Sequence, residues 1–169
     1  EELEEPLYLV CTHGKRDRCC ALHGLPIFKA LRELAPERVW QTSHLGGHRF
    51  APTLLTLTDG HVYGRLDMGD TTQLFHAVEH GRVFDLTRLR GRAGWPPAAQ
   101  AAERALRRKL RDLDSPMVLQ SCEETGADQW TVRINDSVVT VGRSMGAEPV
   151  RASCAQEKMS LPARYTAQA

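Results

Sequence analysis

Two short apolar runs joined by Asp59-Gly60 limit what the middle of this chain can fold into. Residues 53–58 (TLLTLT) and 61–66 (HVYGRL) are rich in the residue types that favour strands. An Asp-Gly pair between such runs is typical of a tight two-residue turn, because glycine readily adopts the positive φ that this turn requires. The sequence therefore predicts an antiparallel hairpin here.

The segments around this hairpin predict a mixed α/β fold. Residues 6–11 (PLYLVC) and 38–44 (RVWQTSH) are predicted strands, and residues 25–34 (LPIFKALREL) have apolar residues at helical spacing. Pro26 would occupy the first turn of that helix, where proline is tolerated. A second helix is predicted over 70–82. A strand, a helix and a second strand should form a right-handed parallel unit, and the order β-α-β-β-β-α is that of the thioredoxin-like α/β class.

The rest of the chain predicts a second, smaller unit. We expect a thioredoxin-like domain over 1–88, a linker rich in Gly, Pro and Arg over 89–100, and an α+β extension over 101–169. The extension should contain a helix and a hairpin formed by 129–134 and 137–143. One face of its helix is strongly basic, and a solvated surface is the simplest interpretation of that face. These basic residues are Arg104, Arg107, Arg108, Lys109 and Arg111.

Composition narrows the classes of function. A net charge of +1 argues against a dedicated nucleic-acid-binding protein, and no apolar run is long enough to predict a membrane span. No secretory leader is recognisable, so we expect a cytoplasmic protein. Five cysteines are too few for a disulfide scaffold of this length. We therefore expect mostly free thiols, including Cys122 and Cys154.

Two cysteines and a histidine are predicted to meet at one edge of the sheet. Cys11 ends the first predicted strand, and His44 ends the second, which should be its parallel neighbour. Cys20 precedes the first predicted helix, where the positive end of the helix dipole would stabilise a thiolate. Cys19 is an alternative to Cys20 that spacing alone does not exclude.

The stretch HLGGH (44–48) adds a second histidine to this edge. Gly46 and Gly47 argue against a helix and favour a tight loop that lets backbone approach a bulky inorganic group. Two cysteines and two histidines suit either a 2Fe–2S cluster or zinc, although the cysteine spacing is wider than in compact zinc sites. A metal-free thiol protein is a third possibility, but the C-x-x-C pattern of thioredoxin-like thiol enzymes is absent. The residues alone leave all three open.

Three motifs resemble the signature of the sucrase/ferredoxin-like family: CTHGKRDRCC (11–20), SHLGGHRFA (43–51) and VYGRL (62–66). The resemblance covers residues 7–85 closely, and the tail from WPP onward is similar to the extension of bacterial members. It implies a thioredoxin-like ferredoxin with a 2Fe–2S cluster. Cys11 and Cys20 would bind one iron and His44 and His48 the other, although some bacterial relatives carry an acidic residue at the place of His48.

Such a cluster implies electron transfer rather than catalysis, with no sucrase activity. Replacing two thiolates by neutral imidazoles makes the cluster less negative and raises its potential, as in Rieske centres, which span about −150 to +300 mV. A ligating imidazole that can lose its second proton would also make the potential depend on pH. Residues expected around the ligands are His13, Arg16, Cys19, Gly46, Gly47 and Arg49.

The same loops carry four basic residues, namely Lys15, Arg16, Arg18 and Arg49. They are either ordinary surface charge or a surface that guides a redox partner protein of acidic character to the edge of the cluster. Neither nucleic acid nor a membrane is expected as a partner.

Overall fold

A five-stranded sheet forms the amino-terminal part of the molecule. The structure is a computed structural model that describes residues 5–151, 153, 157 and 159–168. The strands are β1 (Tyr8–Cys11), β2 (Val39–Thr42), β3 (Thr53–Thr56), β4 (His61–Gly64) and β5 (Leu89–Arg92). Their order across the sheet is β2-β1-β3-β4-β5.

The first four strands are arranged as the sequence predicts. β1 runs parallel to β2, with Cys11 opposite Thr42, and it runs antiparallel to β3 on its other side. The predicted hairpin joins β3 to β4. Two helices, α1 (Arg18–Leu34) and α2 (Asp70–Glu79), pack against each other, and α1 also packs on β1 and β2. The thioredoxin-like α/β class predicted from the order of elements is therefore confirmed.

Helix α1 begins at Arg18, well before the predicted start at Leu25. The cause is Asp17, whose side chain accepts a hydrogen bond from the backbone N–H of Cys19 at 2.9 Å and so caps the helix. Pro26 therefore lies inside the helix rather than in its first turn. The buried face follows helical spacing. Its residues are Cys20, Gly24, Ile27, Phe28 and Leu31.

The predicted linker is structured at both of its ends. Leu89–Arg92 is strand β5, which pairs with β4 as an edge strand of the first sheet. A third helix, α3, begins at Pro97 and ends at Leu110. Only the short turn between β5 and α3 connects regular elements, so 89–100 is a linker in part only. Burial alternates along β5, where Leu89 and Gly91 are buried. The sequence did not indicate this strand, because its Arg and Gly content is typical of a linker.

The carboxyl-terminal part has its own sheet and its own core. Strands β6 (Leu119–Gly126), β7 (Gln129–Ile134) and β8 (Ser137–Met145) form a meander, and β11 (Ala163–Gln168) pairs with β8. A separate two-stranded pair consists of β9 (Val150–Arg151) and β10 (Met159–Ser160). Apolar residues of α3 pack on this sheet and form a second hydrophobic core, distinct from the core under the first sheet. Among the described residues, no helix is both long enough and apolar enough to cross a membrane.

A buried polar network joins α3 to the first sheet. Glu103 has no exposed side-chain surface, and one of its oxygens lies 3.0 Å from Arg92 Nε and 3.1 Å from an Arg107 nitrogen. His61 lies between Glu103, at 3.4 Å, and Asp59. Arg107 is thus buried in an ion pair and does not belong to a solvated face, which corrects the simplest interpretation of the basic residues of α3.

The charges in this network shift the pKa values of its members. Burial alone would raise the pKa of Glu103, but the hydrogen bond with His61 and the charges of Arg92 and Arg107 hold it below its ordinary value. Burial alone would lower the pKa of His61, but hydrogen bonds with Asp59 and Glu103 raise it overall. The ionised network therefore stabilises the fold near neutral pH. The Glu103 contribution is lost in acid, and the His61 contribution is lost as the pH rises through the raised pKa of His61.

We expect Glu103→Gln to lower the free energy of unfolding by about 3 kcal/mol at pH 7, because it leaves Arg92 and Arg107 without their buried partner. The difference in the free energy of unfolding between this variant and the parent should become smaller below about pH 4, because Glu103 of the parent begins to lose its negative charge there. Urea denaturation at both pH values measures the effect.

Glu124→Gln is the matched control, because Glu124 is exposed and forms no ion pair within the described part of the chain. Its effect should stay within about 0.5 kcal/mol. Equal stabilities of the two variants at pH 7 would contradict the importance of the network.

Candidate metal centre

Cys11 and Cys20 form a buried pair of thiols. Cys11 is the last residue of β1 and is 1% exposed, and Cys20 lies in the first turn of α1 and is 2% exposed. The Cys11 thiol is near enough to Cys20 to contribute to the raised pKa of the Cys20 thiol. The two cysteines predicted as ligands are therefore neighbours in the folded chain.

Gly24 makes this pairing possible. A Cβ on Gly24 would lie 2.2 Å from the backbone oxygen of Cys11, far inside van der Waals contact. Only glycine lets α1 pass this close to the end of β1. The first turn of α1 is thereby held beside the end of the strand, with Cys20 next to Cys11.

The two histidines come from the loop that follows β2. Gly46 and Gly47 have φ values of 88° and 64°, so the loop turns back through the left-handed region that glycine tolerates. The rings of His44 and His48 stack with centroids 3.9 Å apart and an interplanar angle of 6°. The Nδ1 atom of His48 lies 3.8 Å from Cys20 Sγ. The loop thus carries the imidazole pair to the thiol pair.

Asp17 is a buried residue of this site that the sequence did not place among the ligands or their expected neighbours. Its carboxylate caps α1 and lies 3.9 Å from His48 Nδ1. The signal that could have found it is its position just before Cys19 and Cys20, because Asp is a preferred residue at the cap of a helix. The negative charge of Asp17 is one of the causes that raise the pKa of the Cys20 thiol.

The remaining predicted neighbours have different surroundings. The Nδ1 atom of His13 is buried and has no hydrogen-bond partner among the described residues. The Gly46 N–H donates to His44 Nδ1 at 3.3 Å, and Gly47 precedes the 3-10 turn His48–Phe50. Arg49 extends over the Phe50 ring, with 4.6 Å between its guanidinium carbon and the ring centroid.

The other cysteines differ in their state. Cys19 is disulfide-bonded, so its sulfur is not a free thiol. Cys122 carries a free thiol that is half-buried rather than fully buried. Cys154 lies outside the described residues. Of the adjacent pair Cys19 and Cys20, only Cys20 offers a free thiol beside Cys11.

The environment keeps the Cys20 thiol protonated in the absence of a bound cation. Burial, followed by the hydrogen bond and charge of Cys11 and the charge of Asp17, raises the pKa of Cys20 to about 12. This corrects the expectation that the helix dipole would favour a thiolate there. The dipole is outweighed because the group is buried next to two other acids.

The surroundings of the His44 imidazole disfavour its protonation. Desolvation, followed by the positive potential of His48, Arg16 and His13, lowers the pKa of His44, although Asp17 opposes the shift. His44 is therefore neutral near pH 7. Neutral imidazole is the form that binds metals.

The donor set fits a metal group that uses two thiolates and two imidazoles. Thiolate and imidazole are the ligands of iron–sulfur and zinc sites, and the unpartnered Nδ1 of His13 is a further polar atom that a bound group could satisfy. Within the described ranges, no three His, Cys, Asp or Glu side chains converge to hold a single metal ion. A 2Fe–2S cluster of the mixed type needs only two protein ligands on each iron.

Comparison with known proteins assigns the family. The sequence model of the sucrase/ferredoxin-like family matches residues 1–91, more than half of the chain. The chain belongs to the sucrase/ferredoxin-like family. A search of curated proteins finds no match. The matched part of this sucrase/ferredoxin-like chain contains all four predicted ligands, and it ends within β5, where the first sheet ends.

One solved structure is similar to this family member. It is a thioredoxin-like [2Fe–2S] ferredoxin from Aquifex aeolicus, with 18% sequence identity and a TM-score of 0.48. The match covers 56% of this chain and 97% of the ferredoxin.

We expect Gly24→Ala to lower the free energy of unfolding by about 2 kcal/mol, because the added methyl group must push α1 away from Cys11. Elsewhere in a helix the same substitution stabilises by up to about 1 kcal/mol. Cys20 should also react faster with a thiol reagent in the native protein. Denaturation and thiol labelling measure the two effects.

Gly142→Ala serves as the control, because a Cβ on Gly142 meets nothing within 4 Å. If Gly24→Ala were as stable as the parent and its thiols as slow to react, the close approach of α1 to β1 would not be what buries the cysteine pair.

Proposed function

We propose that this chain is a one-electron carrier that holds a 2Fe–2S cluster through Cys11, Cys20, His44 and His48. The observation that carries the proposal is the meeting of a buried thiol pair and a stacked imidazole pair at one edge of a thioredoxin-like sheet. Membership of the sucrase/ferredoxin-like family supports it.

The residues of the site are suited to tune such a cluster. When bound, the cluster would supply a centre that gains and loses one electron. Two ferric ions, two sulfides, two thiolates and two neutral imidazoles carry a net charge of about zero, against about −2 with four thiolates. The lowered pKa of His44 favours the neutral form that this sum assumes. We therefore expect a higher potential than that of an all-cysteine site.

A metal-free thiol enzyme fits the site less well. Reactive cysteines have a lowered pKa and access to solvent. Cys20 has the opposite properties, since it is buried and its pKa is raised to about 12, and Cys19 is disulfide-bonded. A structural zinc also fits the site less well, because no three of the described His, Cys, Asp or Glu side chains converge to hold a single ion. Metal analysis distinguishes zinc from a cluster.

An acidic redox protein is the partner that we propose. Lys15, Arg16 and Arg18 are exposed on the loop and helix start that carry the cysteine pair. None of them forms an ion pair within the part of the chain that the structure describes. A positively charged surface beside the metal centre would attract an acidic partner to it. Added salt would weaken this attraction. We also retain the cytoplasm as the proposed location.

We expect His44→Cys and His48→Cys each to shift the visible absorption spectrum and to lower the reduction potential, because a thiolate adds negative charge to the centre. Anaerobic purification followed by a spectroscopic redox titration measures both changes. The control is His23→Cys on the exposed side of α1, which should match the parent. If either ligand variant kept the parental spectrum and potential, that histidine would not bind the cluster.

We expect the potential of the parent to fall with increasing pH across about pH 6 to 10, since His44 and His48 can release a proton more readily when the centre is oxidised. The slope should approach about 59 mV per pH unit for one proton and one electron. Protein-film voltammetry at a series of pH values measures it. A flat response would contradict proton release from the two imidazoles.

A further inference from the structure

A large cavity on this chain is lined by arginines from both of its halves. Its volume is about 810 Å³, within the range of small-molecule sites. The arginines come from the turn after His48, from the end of the first sheet, from α3, and from β9 and β11. They are Arg49, Arg65, Arg90, Arg104, Arg108, Arg151 and Arg164. We call this space the arginine cavity. None of the four proposed cluster ligands lines it.

The arginine cavity has no acidic lining among the described residues. Its arginines form no ion pair within the described ranges either, whereas arginines elsewhere, such as Arg38, Arg88 and Arg107, pair with carboxylates. The chain is nearly neutral overall, with 22 basic and 21 acidic residues. Positive charge is therefore concentrated here although carboxylates are available in the sequence.

The aromatic ring of Phe50 contacts three of these arginines. The guanidinium carbons of Arg90, Arg49 and Arg65 lie 3.3, 4.6 and 5.2 Å from the centroid of its ring. Cation–π contact with the ring stabilises each guanidinium. The ring therefore holds like charges close together without neutralising them, and their N–H groups keep their capacity to bind an anion.

Like charges repel one another in this cavity. Although Arg90 is an exposed residue, partial desolvation of its guanidinium, followed by the charges of Arg104, Arg49 and Arg65, lowers the pKa of Arg90 to about 10. Burial and Arg108 lower the pKa of Arg104 as well, although Asp85 opposes this shift. The Nε atom of Arg104 is buried and has no hydrogen-bond partner in the described part of the chain. An anion bound among these groups would relieve the repulsion and satisfy that donor.

We propose that the arginine cavity binds a small molecule that carries two or more phosphate groups. Guanidinium groups match phosphate oxygens in two-point hydrogen bonds, and each phosphate brings up to two negative charges and several acceptor oxygens. A single carboxylate would neutralise only one of the seven arginines. The concave shape and the volume suit a small ligand rather than the flatter surface of an acidic protein.

Calorimetric titration of the isolated full chain in about 150 mM KCl tests this proposal, because salt at this level screens weak surface binding. The probes are inorganic pyrophosphate, ATP, citrate and adenosine. We expect pyrophosphate and ATP to bind saturably, and citrate to bind at least about tenfold more weakly than pyrophosphate. Adenosine should not bind. Equal affinity for pyrophosphate and ATP would show that the phosphates alone are recognised, and tighter ATP binding would show that an organic part contributes. Both results support the proposal.

Two variants and a control locate the binding. Arg104→Gln and Arg90→Gln should each weaken pyrophosphate binding about tenfold or more, while Arg133→Gln, an exposed arginine outside the cavity, should leave it unchanged. A ligand-binding role also predicts that Arg104→Gln without anion melts no lower than the parent, because a repelled charge is removed. A purely structural role predicts a lower melting temperature and unchanged binding.

The proposal is overturned if pyrophosphate does not bind saturably or if citrate binds as tightly. It is also overturned if both cavity variants bind like the parent. Binding of a hexaglutamate peptide without binding of pyrophosphate would assign the surface to an acidic protein instead.

Discussion

The candidate metal centre depends on the close crossing of α1 over the end of β1. Gly24 lies against the Cys11 carbonyl with no room for a side chain, and Asp17 fixes the start of the helix by capping it. Together they place Cys20 beside Cys11. The parallel pairing of β2 with β1 then determines where the loop with the two histidines begins, so the imidazole pair reaches the thiols as a consequence of the sheet order.

Some ionisable groups of this molecule are paired with one another, and others are not. The network of Glu103, Arg92, Arg107 and His61 is neutralised internally and joins α3 to the first sheet. The thiol pair avoids charge, because burial, Cys11 and Asp17 raise the pKa of Cys20 to about 12. The arginine cavity has no acidic lining among the described residues, and desolvation and the neighbouring arginines lower the pKa of Arg90. A bound cationic centre would favour the thiolate form, and a bound anion would relieve the repulsion among the arginines. The contrast separates structural charge from charge suited to binding.

Much of the fold could be predicted from local sequence, because alternation, turn residues and helical spacing act over short distances. The hairpin at Asp59-Gly60 and the parallel unit before it are the clearest cases. The start of α1 was predicted too late, since Pro26 resembles a first-turn proline and the capping role of Asp17 was overlooked. Strand β5 was missed because its Arg and Gly content resembles that of a linker.

The site was predictable in part. The motifs identified the residues that the fold brings together, and the family match supports the interpretation of those motifs. The protonation state of Cys20 was not predictable, because it depends on burial beside Cys11 and Asp17, which only the tertiary structure reveals. The different surroundings of the α3 arginines were not predictable for the same reason. Spacing shows that Arg104 and Arg107 share a helix, but not that one is buried against Glu103 while the other lines a cavity.

The most direct test of the central claim is a metal and acid-labile sulfide analysis of the chain purified without oxygen. The account predicts about two irons and about two sulfides per chain, in a coloured protein whose visible absorption is bleached by one-electron reduction. A colourless protein with one zinc per chain, or with neither metal nor sulfide, would contradict it.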